Sequence, residues 1–308
     1  MSLIRTSFLF EKKISTLDEI ILTLQLLIIV KNTVATNHQF MKKWSLVALV
    51  AITLASCSTY QKALKVEDIA YKNEVADQLY EKGQLKQASN LYEQIYSKQK
   101  WNRNLQSTYY KYAKALYDTK KYELSASFLR AYNDNYVDSP FREETIFMEA
   151  MSEYHLTDVF TKDQQRTYTA IQKFDKYFSL YAEGAHREDA IKYYQILKGK
   201  IEKKAFENAR LYNKIGEYTR DYNAAMVALD NFMLDNPGSV YKEDALFYKF
   251  DSAYKLAMNS VYSKMHDRIK NAISAYNGLI AFNENTKYKN QADQMLERLN
   301  KELQQFSN

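Results

Sequence analysis

The 308-residue chain is 46% apolar and 26% charged with a net charge of +6, which is enough apolar material for one elongated repeat domain or two compact ones and excludes a disordered chain. Six glycines and two prolines stand against 27 tyrosines, and so few turn residues argue against many short strands and for an all-α fold. Lysine runs such as Lys120, Lys121 and Lys198, Lys203, Lys204 are interspersed with acids; they read as solvated helix faces, and no nucleic-acid partner is indicated.

Residues 1–40 contain an apolar run, Ile20 to Val30, upstream of a second run organised for export. Met41, Lys42 and Lys43 form a basic segment, Trp44 to Leu54 an apolar stretch of eleven residues, and Leu54-Ala55-Ser56-Cys57 closes it with small residues. That is a signal peptide over 41–56, too short to remain as a spanning helix. Because it begins at its own methionine, translation is expected to start at Met41, with 1–40 a mis-assigned extension; an amphipathic or membrane segment at Leu17 to Val30 is the alternative. Cys57 is the only cysteine, so neither an internal disulfide nor a cysteine metal cluster is available. Leu-Ala-Ser-Cys resembles a bacterial lipobox, which implies lipidation at Cys57, with diacylglycerol on the sulfur, cleavage before it and acylation of the new amino group. Three chains hold firmly where one would not, at about 0.8 kcal/mol per buried methylene. Ser58, standing where aspartate would suggest inner-membrane retention, points by the same resemblance to the outer membrane. A chance apolar run before an ordinary buried cysteine is the plainer alternative. Residues 57–65 are expected to be a lipidated linker.

From residue 66 onward the pattern is helical, and comparison of the chain with itself reveals repeats. Ala76, Ala113 and Ala150 recur 37 residues apart, as do Tyr80, Tyr117 and Tyr154. Each pair sits on a first helix, where the alanine admits a close partner and the aromatic four residues later covers the same face. Second helices carry a small residue followed by large apolar ones at i+4 and i+7: Ala88-Tyr92-Ile95, Ser125-Leu129-Tyr132, Ala170-Phe174-Tyr177, Ala225-Leu229-Phe232 and Ala272-Tyr276-Leu279. Five hairpins follow. The pairing resembles the tetratricopeptide repeat, with Asn236-Pro237-Gly238 as its proline-containing exit. Ser139 is expected as the next N-cap and Pro140 at the first helical position.

Spacing between second-helix motifs rises from 37 to 45, 55 and 47, so later hairpins have longer helices or inserted turns, and His155 to Thr167 is expected to be an exposed polar loop. Stacking buries what each hairpin leaves uncovered, giving a right-handed superhelix over 66–308. Front hairpins occupy 66–183, back hairpins 184–290 and a capping helix 291–306, with Gly184 to Arg187 a soft joint.

No cofactor, metal or catalytic constellation is indicated. His38, His155, His186 and His266 are scattered without metal-ligand spacing, and no phosphate loop, nucleophile elbow or carboxylate pair occurs. The repeat pattern points Asn73, Asp77, Tyr80, Tyr110, Lys114, Tyr117, Phe147, Met151 and Tyr154 toward a concave face, where aromatic and occasional charged groups suit an extended peptide. Inter-repeat packing is the competing role for every one of them.

Together the lipobox, Leu79-Tyr80-Glu81-Lys82-Gly83, Ala88 to Ile95, Asp163-Gln164 leading into Ala170 to Phe174, and Asp235 to Ser239 before Ala245 resemble the BamD family, the lipoproteins of the outer-membrane β-barrel assembly machine, from Cys57 to about Ala292. The resemblance implies a periplasm-facing, lipid-anchored subunit that docks on the barrel-forming BamA and receives unfolded outer-membrane protein clients. The nine residues above would then form the client groove. The hairpins around Tyr222 to Leu229 and Ala272 to Leu279 would form the docking side. The chain departs from the family in lacking prolines after the first and third hairpins, near Lys98 to Trp101 and Tyr181 to Gly184. A tetratricopeptide scaffold of another envelope system, for cell-wall coordination or nutrient uptake, is the alternative partner class.

Overall fold

A computed structural model describes residues 59–306, which form helices joined by turns and short irregular segments, with no strand among them. Cys57, the 41–56 signal and residues 1–40 lie outside the described residues. The chain divides into two compact units between Lys98 and Gln99, not at Gly184 to Arg187, the joint that the sequence suggests. At Gly184 the packing is too close for a joint: an added Cβ would lie 2.4 Å from both Glu143 Oε1 and the Tyr177 hydroxyl.

In the first unit, residues 59–65 are helical (α1), with Tyr60 and Ala63 buried, and so are not a linker. α2 (Ile69–Glu81) begins at Asp68, whose Oδ1 accepts from the amides of Ala70 and Tyr71 at 2.9 and 3.3 Å. It ends at Gly83, held at φ +73 while Gln84 N donates to Leu79 O at 2.9 Å, a left-handed turn that glycine adopts without strain. α3 (Leu85–Lys98) folds back on α2, and Ala76 is fully buried, as are Ala88, Leu91, Tyr92 and Ile95.

The second unit repeats that plan. α4 (Gln106–Asp118) and α5 (Tyr122–Asn135) turn at Lys120, which takes φ 60 where Gly83 stands 37 residues earlier, with Lys121 N on Leu116 O at 3.0 Å. Then follow α6 (Arg142–His155) with α7 (Gln165–Leu180), α8 (Arg187–Thr219) with α9 (Asn223–Asp235), α10 (Lys242–Met258) with α11 (Tyr262–Phe282), and the closing α12 (Lys289–Gln304). The fold is all-α and built of tetratricopeptide-like hairpins, five among the described residues, with each small-then-large motif in its expected helix. α6 starts at Arg142, two residues beyond Pro140. Ser139 caps the preceding turn instead, its Oγ accepting from Phe141 N at 3.1 Å.

The 55-residue spacing has its cause in α8, 33 residues long. Ala190 and Leu197 near its start are buried with α6 and α7, whereas Phe206 and Ala209 are buried with α9 and α10. At 3.6 residues per turn these two pairs lie on nearly opposite sides of the helix. One helix therefore closes the third hairpin and opens the fourth.

A clasp recurs where consecutive hairpins join. A ring just before each new first helix stacks on a ring of the previous one: Phe141 on Tyr110 at 4.2 Å, His186 on Phe147 at 4.5 Å, Tyr241 on Phe206 at 5.0 Å and Tyr288 on Phe247 at 3.8 Å between centroids, all within 8° of parallel. Four residues before Phe147, Phe206 and Phe247 stand Glu143, Glu202 and Glu243. They accept from the Tyr177 hydroxyl at 2.9 Å, from Ser239 Oγ at 2.5 Å and from Thr286 Oγ1. Charge-assisted bonds beside stacked rings fix the angle between neighbouring hairpins.

The segment between α6 and α7 is folded, not merely exposed. Buried Gln164 donates to Val159 O and Lys162 O at 2.9 and 3.0 Å, and its Oε1 accepts from the buried Thr167 at 2.8 Å. Lys203 and Lys204 are not a solvated face: the Lys203 ammonium sits 4.4 Å from the centroid of Phe160, and Lys204 donates to Lys162 O. Among the described residues, no helix is long and apolar enough to cross a membrane.

Candidate protein-binding face

Asn73, Asp77 and Tyr80 lie on α2 in the first unit, all half-buried. Asp77 Oδ1 accepts from the hydroxyl of the buried Tyr92 at 2.7 Å, so this carboxylate supports the hairpin core. The other six candidates lie on α4 and α6 of the second unit.

Tyr110, Lys114 and Glu144 form one cluster on those two helices. Tyr110 donates to Glu144 Oε2 at 2.5 Å, and Lys114 reaches Oε1 at 2.8 Å with about a third of each side chain exposed. Burial alone would raise the Glu144 carboxyl, but the hydrogen bonds from Lys114 and Tyr110 override it and hold the group below its ordinary value. Burial and the Glu144 bond push the Tyr110 hydroxyl well up.

Tyr117 packs edge-on to Tyr122 at 5.6 Å, and burial pushes its hydroxyl up to about 12. Tyr122 stacks on His155 at 4.3 Å; burial and nearby Lys120 lower the His155 ring, which is therefore neutral at pH 7. Phe147 stacks on His186 and meets Tyr177 edge-on at 5.8 Å. Tyr154 meets Tyr193 of α8 edge-on at 4.7 Å, with the Lys200 ammonium 5.7 Å from its ring centroid. Burial lowers the Lys200 pKa, and the ammonium donates to Thr157 Oγ1 at 2.6 Å.

Met151 departs from the expected groove. It is 5% exposed inside the core of the third hairpin, because its position on α6 faces α7 and α8. What remains is a face shared by α4, α6 and the first half of α8, where half-buried rings alternate with Lys114, Glu144, His155 and Lys200. Such a face offers π surfaces, hydroxyls and charges already held in place, so little side-chain entropy is lost on binding. Among the described residues, no group of three His, Cys, Asp or Glu side chains could hold a metal.

No family model matches the chain, and no curated protein matches its sequence. Solved structures do resemble it. One is the TPR2AB domain of yeast Sti1 in its pHSP90 complex, 14% identical over 75% of this chain and 98% of that one, with a TM-score of 0.36. Another is a Podosopora anserina protein of nearly identical TPR-like repeats named for kinesin light chain, 15% identical over 79% and 99%, with a TM-score of 0.30. With overlap this partial, the hairpins themselves define the fold.

Sequence reasoning passed over Tyr193 because it lies 39 residues beyond Tyr154, outside the 37-residue offset. It also missed a buried polar ladder. Glu149, fully buried on α6, accepts from Asn133 Nδ2 at 3.1 Å and pairs with Lys173 at 2.6 Å, while Thr145 donates to Asn133 Oδ1 at 2.6 Å. Neighbouring Glu153 is buried too, and burial raises its carboxyl despite Arg166 and Arg130. The one signal for the ladder was Glu149 standing between Met148 and Ala150.

Proposed function

We propose that the chain is a lipid-anchored subunit of an outer-membrane assembly machine, facing the periplasm, where it binds a BamA-like β-barrel protein and unfolded outer-membrane clients. The observation that carries the binding half is the ring-and-lysine face on α4, α6 and α8, which is suited to an extended peptide with aromatic side chains. The Leu-Ala-Ser-Cys sequence supports the anchor at Cys57. The back hairpins, α8 with α9 and α10 with α11, are then the side that docks on the barrel subunit. Protein binding itself needs only the hairpins and their face; the particular machine rests on the order of motifs in the sequence.

Purification from gently solubilised membranes tests the partner. A BamA-like barrel that co-purifies in stoichiometric amount supports the reading, and its absence from a complex that contains other envelope proteins refutes it in favour of another scaffold. Metabolic labelling with a clickable fatty acid tests the anchor: the label is expected on the wild type and absent from Cys57→Ser. Label that persists in the variant refutes lipidation there.

A further inference from the structure

The side of α8 that buries Ala190 and Leu197 continues along the helix through Lys204, Leu211, Ile215 and Tyr218, since these positions recur at seven-, four- and three-residue steps. Hairpin three covers its first part. Next, the segment between α6 and α7 covers it through Lys200 on Thr157 and Lys203 on Phe160. Beyond that point the cover stops, and Leu211, Ile215 and Tyr218 are 52%, 42% and 88% exposed. A cleft of about 230 Å³ opens at the edge of the cover, lined by Phe160 and Leu211 together with Lys204 and Lys214.

Charge distinguishes this stripe from an ordinary solvated face. Acids nearby are already engaged: Glu207 with Arg210 at 2.6 Å, Glu217 with Lys255 at 3.0 Å and Glu202 with Ser239. Lys214, and Lys204 whose ammonium donates to Lys162 O, form no ion pair with a described carboxylate, and they flank the apolar residues. We infer that the exposed half of α8 is a docking surface for an acidic amphipathic helix of a partner protein, whose apolar side continues the cover over Leu211, Ile215 and Tyr218 while its carboxylates meet Lys204 and Lys214. The fourteen residue rises from 204 to 218 give a stripe of about 21 Å, the length of a four-turn helix. This surface is separate from the α4 and α6 face and holds whichever machine the protein serves.

Two labelled peptides test it against the purified full chain: a 16-residue amphipathic helix with leucines on one face flanked by glutamates, and its twin with lysines for the glutamates. The glutamate peptide is expected to bind saturably, at least tenfold tighter than its twin. Ile215→Glu and Tyr218→Glu should each weaken it at least tenfold with unchanged thermal melting, and Lys214→Glu should reverse the preference between peptides. Equal binding of both peptides, no saturable binding, or wild-type binding by the two apolar variants overturns the inference. So does a stripe that serves another occupant: self-association abolished by Ile215→Glu in sedimentation would assign it to a second copy, and loss of binding to phosphatidylglycerol vesicles in the same variant would assign it to a membrane.

Discussion

Two glycines within α8 predict opposite outcomes for one substitution. Gly199 and Gly216 are both interior to the helix, where alanine is favoured by about 1 kcal/mol. A Cβ at Gly199 meets nothing within 4 Å, whereas a Cβ at Gly216 would lie 2.4 Å from Cδ1 and 2.7 Å from Cε1 of Tyr222. Tyr222 is buried at the start of α9, and its Cγ is only 3.0 Å from the same point, so the ring cannot swing clear without moving its backbone. Overpacking of this kind costs about 1–3 kcal/mol, which outweighs the helix gain. Gly199→Ala is thus expected to stabilise by about 0.5–1 kcal/mol and Gly216→Ala to destabilise by up to about 2 kcal/mol. With about 2.1 cal/mol/K of unfolding entropy per residue, a second unit running from Gln99 to Asn308 shifts its Tm by roughly 2 °C per kcal/mol. Circular dichroism at 222 nm during heating and in guanidinium reads both changes. In a Tyr222→Ala background the penalty at Gly216 should vanish and the substitution become stabilising. A Gly216→Ala variant that melts at or above the wild type refutes the close approach of α8 to Tyr222.

Three further outcomes follow from the same geometry. Lys120→Gly should stabilise by about 0.5 kcal/mol in denaturant titration, because lysine pays for its φ of 60 about 1–2 kcal/mol that glycine does not, less the entropy that glycine adds to the unfolded chain. Glu153, its carboxyl raised by burial from the ordinary 4.5, takes up protons on folding, so its contribution falls as pH rises from that ordinary value through the folded one and stays unfavourable at neutrality; Glu153→Gln should flatten that decline and raise stability at pH 7. Met151→Ala should cost about 3 kcal/mol in stability and leave peptide binding per folded molecule unchanged, whereas Tyr154→Ala should weaken binding of an aromatic-rich peptide several-fold in fluorescence anisotropy.

The hairpins were legible because their signals are local. Ala76, Ala113 and Ala150 mark where helices touch, and a ring four residues later must lie on the same side, so a fixed offset finds them without knowledge of the neighbours. The offset fails where one position must satisfy two surroundings. Gly83 and Lys120 occupy one turn conformation, yet only the glycine announces it. Met151 looks like a groove residue by register, but the packing of α7 and α8 against α6 decides its burial. α8 is the sharpest case: Leu197 and Leu211 share one side while Phe206 and Ala209 share the other, so its buried apolar residues change sides among many charged ones and no single periodic face runs its length. Offset comparison cannot tell a longer helix from an inserted turn in such a stretch, and the backbone, unbroken from Arg187 to Thr219, is the longer helix. A helix that changes the side it buries must leave its first side bare wherever the covering hairpin ends, and that is where Leu211, Ile215 and Tyr218 stand.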